Sequence, residues 1–333
     1  MKNKTHFFNC FQPEGTFPAE VTDSAVVIGN FDGIHRGHRT VLEFAKTVAQ
    51  SKGLALYMLT FEPHPYLLFF PDKPLYRLSH HEKKADLAQK AGINGIISLN
   101  FTEDFSTQSP DWFINEILLK QLRVKHVIAG YDFHFGKDRS GTPRYLCQQG
   151  VQLGFDVNIV NMKADMTGLA VSSTRIREAL RKGSLQEANT LLGYHHYLSL
   201  HSDMVIRPST SRSYTKIVCS LAQKEIMPTG IYSIAIKQST LPFARGYAEL
   251  SDDQRQLILY LRQPDGFQLA HGDKAQIIFF DFLSSSEQTS SCEEWLEASI
   301  NLNTELAGVM SLSSFEQHYW TLPPAMNTVH QNA

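Results

Sequence analysis

Ala25-Val26-Val27-Ile28-Gly29-Asn30-Phe31-Asp32-Gly33-Ile34-His35-Arg36-Gly37-His38 decides the architecture of this chain. Its opening, Ala25–Asn30, is a short apolar run rich in β-branched residues, suited to a buried parallel strand. A polar turn carrying glycines follows, and a helix is expected from about His38 to Ser51. Gly37 lets the backbone pass close to a bound group. The amides at the helix start favour an anion, and His35 and His38 can donate hydrogen bonds to phosphate oxygens. The two histidines, three residues apart, could also share a metal. No third His, Cys or acid stands at a familiar offset, which favours a triphosphate grip over a metal cage.

Working outward, strands and helices alternate. The pattern predicts a strand over Leu54–Phe61, ended by Glu62-Pro63-His64-Pro65, then a helix over Glu82–Ala91 and a strand over Gly95–Phe101. Ser109 and Pro110 open a helix whose Phe113, Ile114, Ile117 and Leu118 fall at helical spacing. His126–Ala129 and Val157–Val160 read as strands flanking a helix near Tyr145–Leu153, and a last helix begins at Ser172. This alternation gives an α/β, Rossmann-like open parallel sheet. Ligands in such sheets sit beyond the carboxyl ends of the strands. The loops after Asn30, Phe61 and Ala129, and the one before Ser172, are therefore the places to look.

Beyond Tyr194 the pattern changes. Lys216–Leu221, Gly230–Lys237, Gln256–Arg262 and Lys274–Phe282 read as strands with no helices between them, as in a small antiparallel β-barrel. Ser284–Ser291 reads as a surface loop, Cys292–Ala307 as a closing helix and the residues from Leu322 as a tail. A boundary near Gly193–His201 gives domains 1–194 and 195–333.

Ser172-Ser173-Thr174-Arg175-Ile176-Arg177 is the second cluster of chemistry-bearing residues. Ser172 or Ser173 is a natural N-cap, and Ile176, Ala179 and Leu180 form a packing stripe. Hydroxyls, first-turn amides and two arginines crowd one helix start. Taken alone this is equally an ordinary capped helix with solvated arginines. Paired with His-x-Gly-His, it makes two anion-binding helix starts in one domain. Such a pair can hold nucleotide phosphates while a phosphorus centre changes partners.

Composition narrows the classes. The chain has 333 residues, 42% hydrophobic and 19% charged, as in a globular protein of two ordinary domains. A net charge of −2 gives no long-range attraction for nucleic acid or an anionic membrane. Four scattered cysteines without a CxxC pair argue against a disulfide framework or zinc cage. No signal-peptide core or membrane-length apolar run is read, so a cytoplasmic protein is the expectation. The chain has no P-loop, GxGxxG, GxSxG or HExxH pattern.

As an ordered set, these motifs resemble the nucleotidyltransferase superfamily marked by HxGH and SSTxxR. More narrowly they resemble the FAD synthetase module of bacterial bifunctional riboflavin kinase/FMN adenylyltransferases. The narrower likeness rests on 29–38, Thr60-Phe61-Glu62-Pro63-His64-Pro65, Phe133-His134-Phe135-Gly136 and 171–177, spanning about Ala25 to Gly193. The resemblance implies transfer of AMP from ATP to FMN, giving FAD and pyrophosphate, with Mg²⁺ accompanying ATP. On matching positions it implies that His35, His38 and Arg175 act on the phosphates. Gly29, Asn30, Phe31, Gly37, Ser172, Ser173, Thr174 and Arg177 would bind the nucleotide. Phe61, Pro63, His64, Asp132 and Phe133 would face the flavin, although Phe61 and Phe133 could equally be core and the prolines turn-formers. No resident metal site is implied.

The second half departs from the family pattern. Riboflavin kinase domains carry a Gly-rich approach to Pro-Thr-Ala-Asn, whereas residues 203–220 here contain no glycine and no Pro-Thr-x-Asn. Ile258 stands where the nearest register puts the catalytic glutamate. An FMN adenylyltransferase that has lost its kinase activity is the leading expectation. The alternatives are a retained kinase, a nucleotidyltransferase with another acceptor or CTP as donor, and a non-catalytic flavin or nucleotide sensor.

Overall fold

The computed structural model describes residues 6–9, 17, 19–73, 75–161, 168–201, 205–210, 214–221, 225–238, 244–262 and 274–284. The chain forms two compact units, Met1–Arg175 and Ile176–Ala333.

The first unit is built on a six-stranded parallel sheet of order β1-β4-β3-β2-β5-β6. Its strands are β1 (His6–Asn9), β2 (Ala25–Ile28), β3 (Leu56–Glu62), β4 (Gly95–Asn100), β5 (His126–Gly130) and β6 (Asp156–Val160). All four residues of β2 are buried, as are nearly all of β3, β4 and β5. This is the mark of a parallel sheet covered on both faces, and it explains why these strands read as continuous apolar runs. At the edge, β6 is only half-buried. From β2 the chain steps outward through β3 to β4, then returns to place β5 on the other side of β2. The order therefore reverses between β2 and β5, and the carboxyl ends there form the crevice that such sheets use for ligands.

Helix α1 (Arg36–Ser51) starts two residues before its expected position, because His35 caps it. The other early helices are α2 (Pro65–Phe69), α3 (His81–Lys90) and α4 (Glu103–Ser106). Ser109 caps α5 (Pro110–Trp112) by accepting from the Trp112 amide at 3.1 Å. That helix runs on as a wide π-type turn over Phe113–Gln121, in which the Leu122 amide reaches back to the Ile117 carbonyl. Phe113, Ile114, Ile117 and Leu118 all point into the core, as their spacing predicted. Helices α6 (Pro143–Leu153), α7 (Ser173–Arg181) and α8 (Leu185–Leu192) complete the set, α7 running across the division between the units.

The second unit carries a seven-stranded antiparallel sheet of order β7-β13-β10-β11-β12-β9-β8. The expected strands appear as β9 (Tyr214–Ser220), β10 (Gly230–Gln238), β12 (Gln256–Arg262) and β13 (Lys274–Ser284). The sequence did not disclose β7 (Tyr197–His201), β8 (Val205–Thr210) or β11 (Ala244–Leu250). Gly246 interrupts β11, and Pro208 confines β8 to an edge. A Cβ on Gly246 would lie 2.0 Å from the Tyr260 carbonyl oxygen, so only glycine allows β11 to approach β12 this closely. The expected helix over Cys292–Ala307 and the tail from Leu322 lie outside the described residues, as does the Ser-rich loop after Ser284.

Leu59 on β3 is fully buried in the core of the first unit. Leu59→Ala is expected to destabilise that unit by about 2–5 kcal/mol through the cavity it leaves. Chemical denaturation, followed by a probe in the first unit, measures the loss.

Candidate functional site

The turn after β2 is strained and fastened. Phe31 and Ile34 adopt left-handed backbone conformations, with φ of 47° and 37°, and Gly33 between them has φ of 82°. Such a conformation in a β-branched residue is costly, on the order of 1–3 kcal/mol, and persists only where surroundings enforce it. The enforcing residue is Asp32, whose buried carboxylate accepts from the Ser79 amide at 2.9 Å, the Leu78 amide at 3.2 Å and the Ser79 hydroxyl at 3.2 Å. The Ser79 hydroxyl oxygen in turn accepts from the Gly33 amide at 2.7 Å. Arg77 places its Nε 3.8 Å from Asp32 and grips Glu62 with both terminal nitrogens, at 2.6 and 3.0 Å.

His35 begins α1 as its N-cap. Its Nδ1 accepts from the His38 amide at 3.3 Å, so in the neutral ring the proton sits on Nε2. The His35 and His38 rings stack with centroids 3.7 Å apart, and the Phe31 ring meets His38 edge-on at 5.3 Å. Burial first, then the positive fields of His35 and Lys84, hold His38 well below the usual histidine pKa. Its imidazole is therefore neutral at physiological pH, and its buried Nδ1 has no hydrogen-bond partner among the described residues.

The second motif lies against the first. A Cβ on Gly37 would sit 3.1 Å from both the Val171 carbonyl oxygen and the His35 ring, so glycine there lets the two segments touch. Ser173 donates its hydroxyl proton to the Asp32 carbonyl oxygen at 3.0 Å, joining positions 141 residues apart. Of the two serines, Ser172 is the cap, accepting from the Arg175 amide at 3.3 Å. Arg175 donates to the Ala170 carbonyl at 3.0 Å. Thr174 is exposed, and Arg177 lies half-buried further along α7. Gly29, Asn30, Phe31, His35, Gly37 and His38 thus share one corner of the first unit with Ser172, Ser173 and Arg175.

The residues expected to face a flavin are placed differently from one another. Phe61 is buried among Phe101, Phe105 and Phe113, with ring centroids 5.8 to 6.5 Å away, and packs in the core. Pro63 is exposed, and His64 caps α2 by accepting from the Tyr66 amide at 3.2 Å. Asp132 is exposed, while Phe133 is half-buried and stacks on Phe135 at 5.4 Å. Sequence reasoning missed Asp32, Arg77, Ser79 and Lys84 as supports of the site. These residues lie in or beside the polar run 71–84 (Pro-Asp-Lys-Pro-Leu-Tyr-Arg-Leu-Ser-His-His-Glu-Lys-Lys) or in the turn itself, and nothing in their spacing marks them out.

A family model described as FAD synthetase matches residues 17–175. The bifunctional riboflavin kinase/FMN adenylyltransferase of Listeria monocytogenes is 32% identical over 268 residues, covering 78% of this chain and 84% of that protein. The chain belongs to this family. The Escherichia coli K12 member of the family is 34% identical over 181 residues, 54% of this chain and 58% of its own length, so that match spans little more than half of the relative. A solved structure described as a macrolide-efflux protein from Streptococcus pneumoniae has a TM-score of 0.73 at 21% identity, over 92% of this chain and 100% of that one. That likeness concerns the fold alone.

Among the described residues, no group of three or more His, Cys, Asp or Glu side chains is placed to hold a metal ion. None of their helices is long and apolar enough to cross a membrane.

Asp32→Ala would leave the Leu78 and Ser79 amides without their shared acceptor and remove a carboxylate 3.8 Å from the buried Arg77 guanidinium. It is expected to cost about 3–5 kcal/mol, measurable by denaturant titration. A second outcome concerns acid. Burial raises the Glu62 carboxyl, but Arg77 and then Lys84 outweigh it and bring Glu62 below its ordinary value of 4.5. A depressed carboxyl contributes stability above its unfolded pKa and loses it as pH falls through the folded one. Stability should therefore drop below about pH 4.5, and less steeply in Glu62→Gln, as melting temperature against pH will report.

Proposed function

We propose that the domain over residues 1–194 transfers AMP from ATP to FMN. An FMN phosphate oxygen attacks the α-phosphorus of ATP. The bond from that phosphorus to the oxygen bridging to the β-phosphate breaks, and pyrophosphate leaves as FAD forms. The observation that carries this reading is the contact between the two motifs, Gly37 against Val171 and Ser173 against Asp32. It brings two helix starts, with His35, His38 and Arg175, together near the carboxyl end of the sheet. Helix starts favour anions, and donors fixed before the reaction stabilise charge as it develops.

In this mechanism Gly29, Asn30, Phe31 and Gly37 shape the nucleotide turn. Ser172, Ser173, Thr174, Arg175 and Arg177 hold the β- and γ-phosphates. Neutral His38, with His35 stacked behind it, donates a hydrogen bond to the phosphates as charge shifts onto pyrophosphate. Mg²⁺ carried in with ATP would offset phosphate charge. Pro63, His64, Asp132 and Phe133 are the flavin-side residues. Phe61 supports that side from the core. No covalent enzyme intermediate is required, and the rate comes from positioning and electrostatics.

The domain over residues 195–333 is read as a kinase-type sheet that no longer phosphorylates riboflavin. Ile258 pairs with Glu249 on β11 and Val218 on β9, and packs beside Ile231 and Tyr260. A sec-butyl side chain cannot accept the riboflavin hydroxyl proton. Glu249 accepts instead from the Tyr260 hydroxyl at 3.3 Å.

Incubation with FMN, ATP and Mg²⁺, followed by chromatography of the flavins, is expected to yield FAD and pyrophosphate. Binding of flavin without turnover would point to a sensor, and failure to bind flavin to another acceptor. Riboflavin with ATP and Mg²⁺ is expected to give no FMN. His38→Ala should lower turnover by about 10²–10⁴-fold while leaving the melting temperature within a few degrees. Wild-type turnover in that variant would remove the role assigned to His38.

A further inference from the structure

The ammonium of Lys84, on α3, is buried beneath the nucleotide turn. Its Nζ donates to the Asn30 carbonyl oxygen at 3.0 Å and to the Thr60 hydroxyl oxygen at 3.3 Å. Thr60, on β3, donates its own hydroxyl to the same Asn30 carbonyl at 3.2 Å. Two donors from different elements therefore hold one carbonyl of the turn, and the side chain that joins them is only 3% exposed. A lysine is rarely buried so completely without a charged partner in full contact. Here the nearest carboxylate oxygen, on Glu62, is 4.0 Å away, and Glu62 is already bound by both ends of Arg77. The lysine thus spends its best hydrogen bond on a backbone oxygen of the turn.

We propose that Lys84 is a positioning residue for the nucleotide turn, holding the Asn30 carbonyl so that the backbone of residues 29–31 keeps the geometry that receives the donor nucleotide. This rests on the adenylyl-transfer reading of the site. The same charge acts on His38, where it adds to burial and to His35 in favouring the neutral ring. Lys84 thus holds the shape of the turn and adds to the burial and charge that keep His38 neutral.

The charged and titratable groups around Lys84 are Glu62 on β3, Asp32 and Arg77 in the loops, His38 on α1 and His81 on its own helix. Burial, and then Arg77, bring the ammonium from 10.5 down to about 8, against the opposing pull of Glu62 and Asp32. The charged, anchoring form therefore predominates below about pH 8 and is progressively lost as pH rises through that value.

The test compares wild type, Lys84→Met and Lys84→Arg. Lys84→Met should raise KM for ATP about tenfold or more, and the His38 imidazole, followed by NMR titration, should take up its proton at higher pH than in the wild type. Lys84→Arg keeps the charge and should leave the His38 midpoint low. A folded Lys84→Met with the wild-type KM and an unmoved His38 midpoint would overturn the proposal. Should Lys84→Met fail to fold, the wild type decides alone. Its KM for ATP should climb as pH passes about 8, and a flat KM from pH 7 to about 9.5 counts against the role. A wild type that makes no FAD defeats the adenylyl-transfer reading, and the His38 midpoints in wild type and Lys84→Arg against Lys84→Met still judge Lys84.

Discussion

Asp32 is the junction on which the site depends. Its carboxylate collects two backbone amides and a hydroxyl from the segment around Ser79, and its carbonyl accepts the Ser173 hydroxyl. Three chain segments far apart in sequence therefore meet at one residue. The turn that bears it holds Phe31 and Ile34 in left-handed conformations, which relax unless several bonds resist. Removal of one acceptor would release the turn and the contact between the two motifs together.

Charge is arranged around that junction in a graded way. Arg77 bridges Asp32 and Glu62, and Lys84 stands behind the turn with Glu62 4.0 Å from its ammonium. A buried cation costs desolvation energy wherever it lies. Here that cost buys a fixed positive field beside a neutral histidine, at the end of the sheet where a triphosphate would carry its charge. Two stacked imidazoles would repel each other if both were protonated, and burial already disfavours the charged form of His38. On the proposed reading, neutral His38 would act as a hydrogen-bonding group beside the positive charges of Lys84 and Arg175.

The two units pose different problems. The first needs helices on both faces of its parallel sheet, and its buried strands show this plainly. The second alternates buried and half-buried residues along β9, as a sheet with one covered face does. Its departure from the family pattern is local. The strand framework is present, and Ile258 lies on it beside Ile231 and two tyrosines, Tyr247 and Tyr260.

Local periodicity and helix signals were legible in the sequence because they depend on near neighbours. The apolar run at Ala25, the cap at Ser109, the stripe of Ile176, Ala179 and Leu180, and the polar loops at strand ends all follow from spacing alone. Short or interrupted elements such as β1, α2 and β11 were not legible, since their existence depends on a partner strand or face and not on their own pattern. The same reason governs the site. His-x-Gly-His and Ser-Ser-Thr-Arg announced themselves through residue type, but sequence could not say which serine caps, or that Phe61 is core. It could not say that Asp32, Arg77, Ser79 and Lys84 close one network across some 50 residues of chain. A charge chooses its partner by distance and desolvation, and both are fixed only when the sheet and its loops have come together.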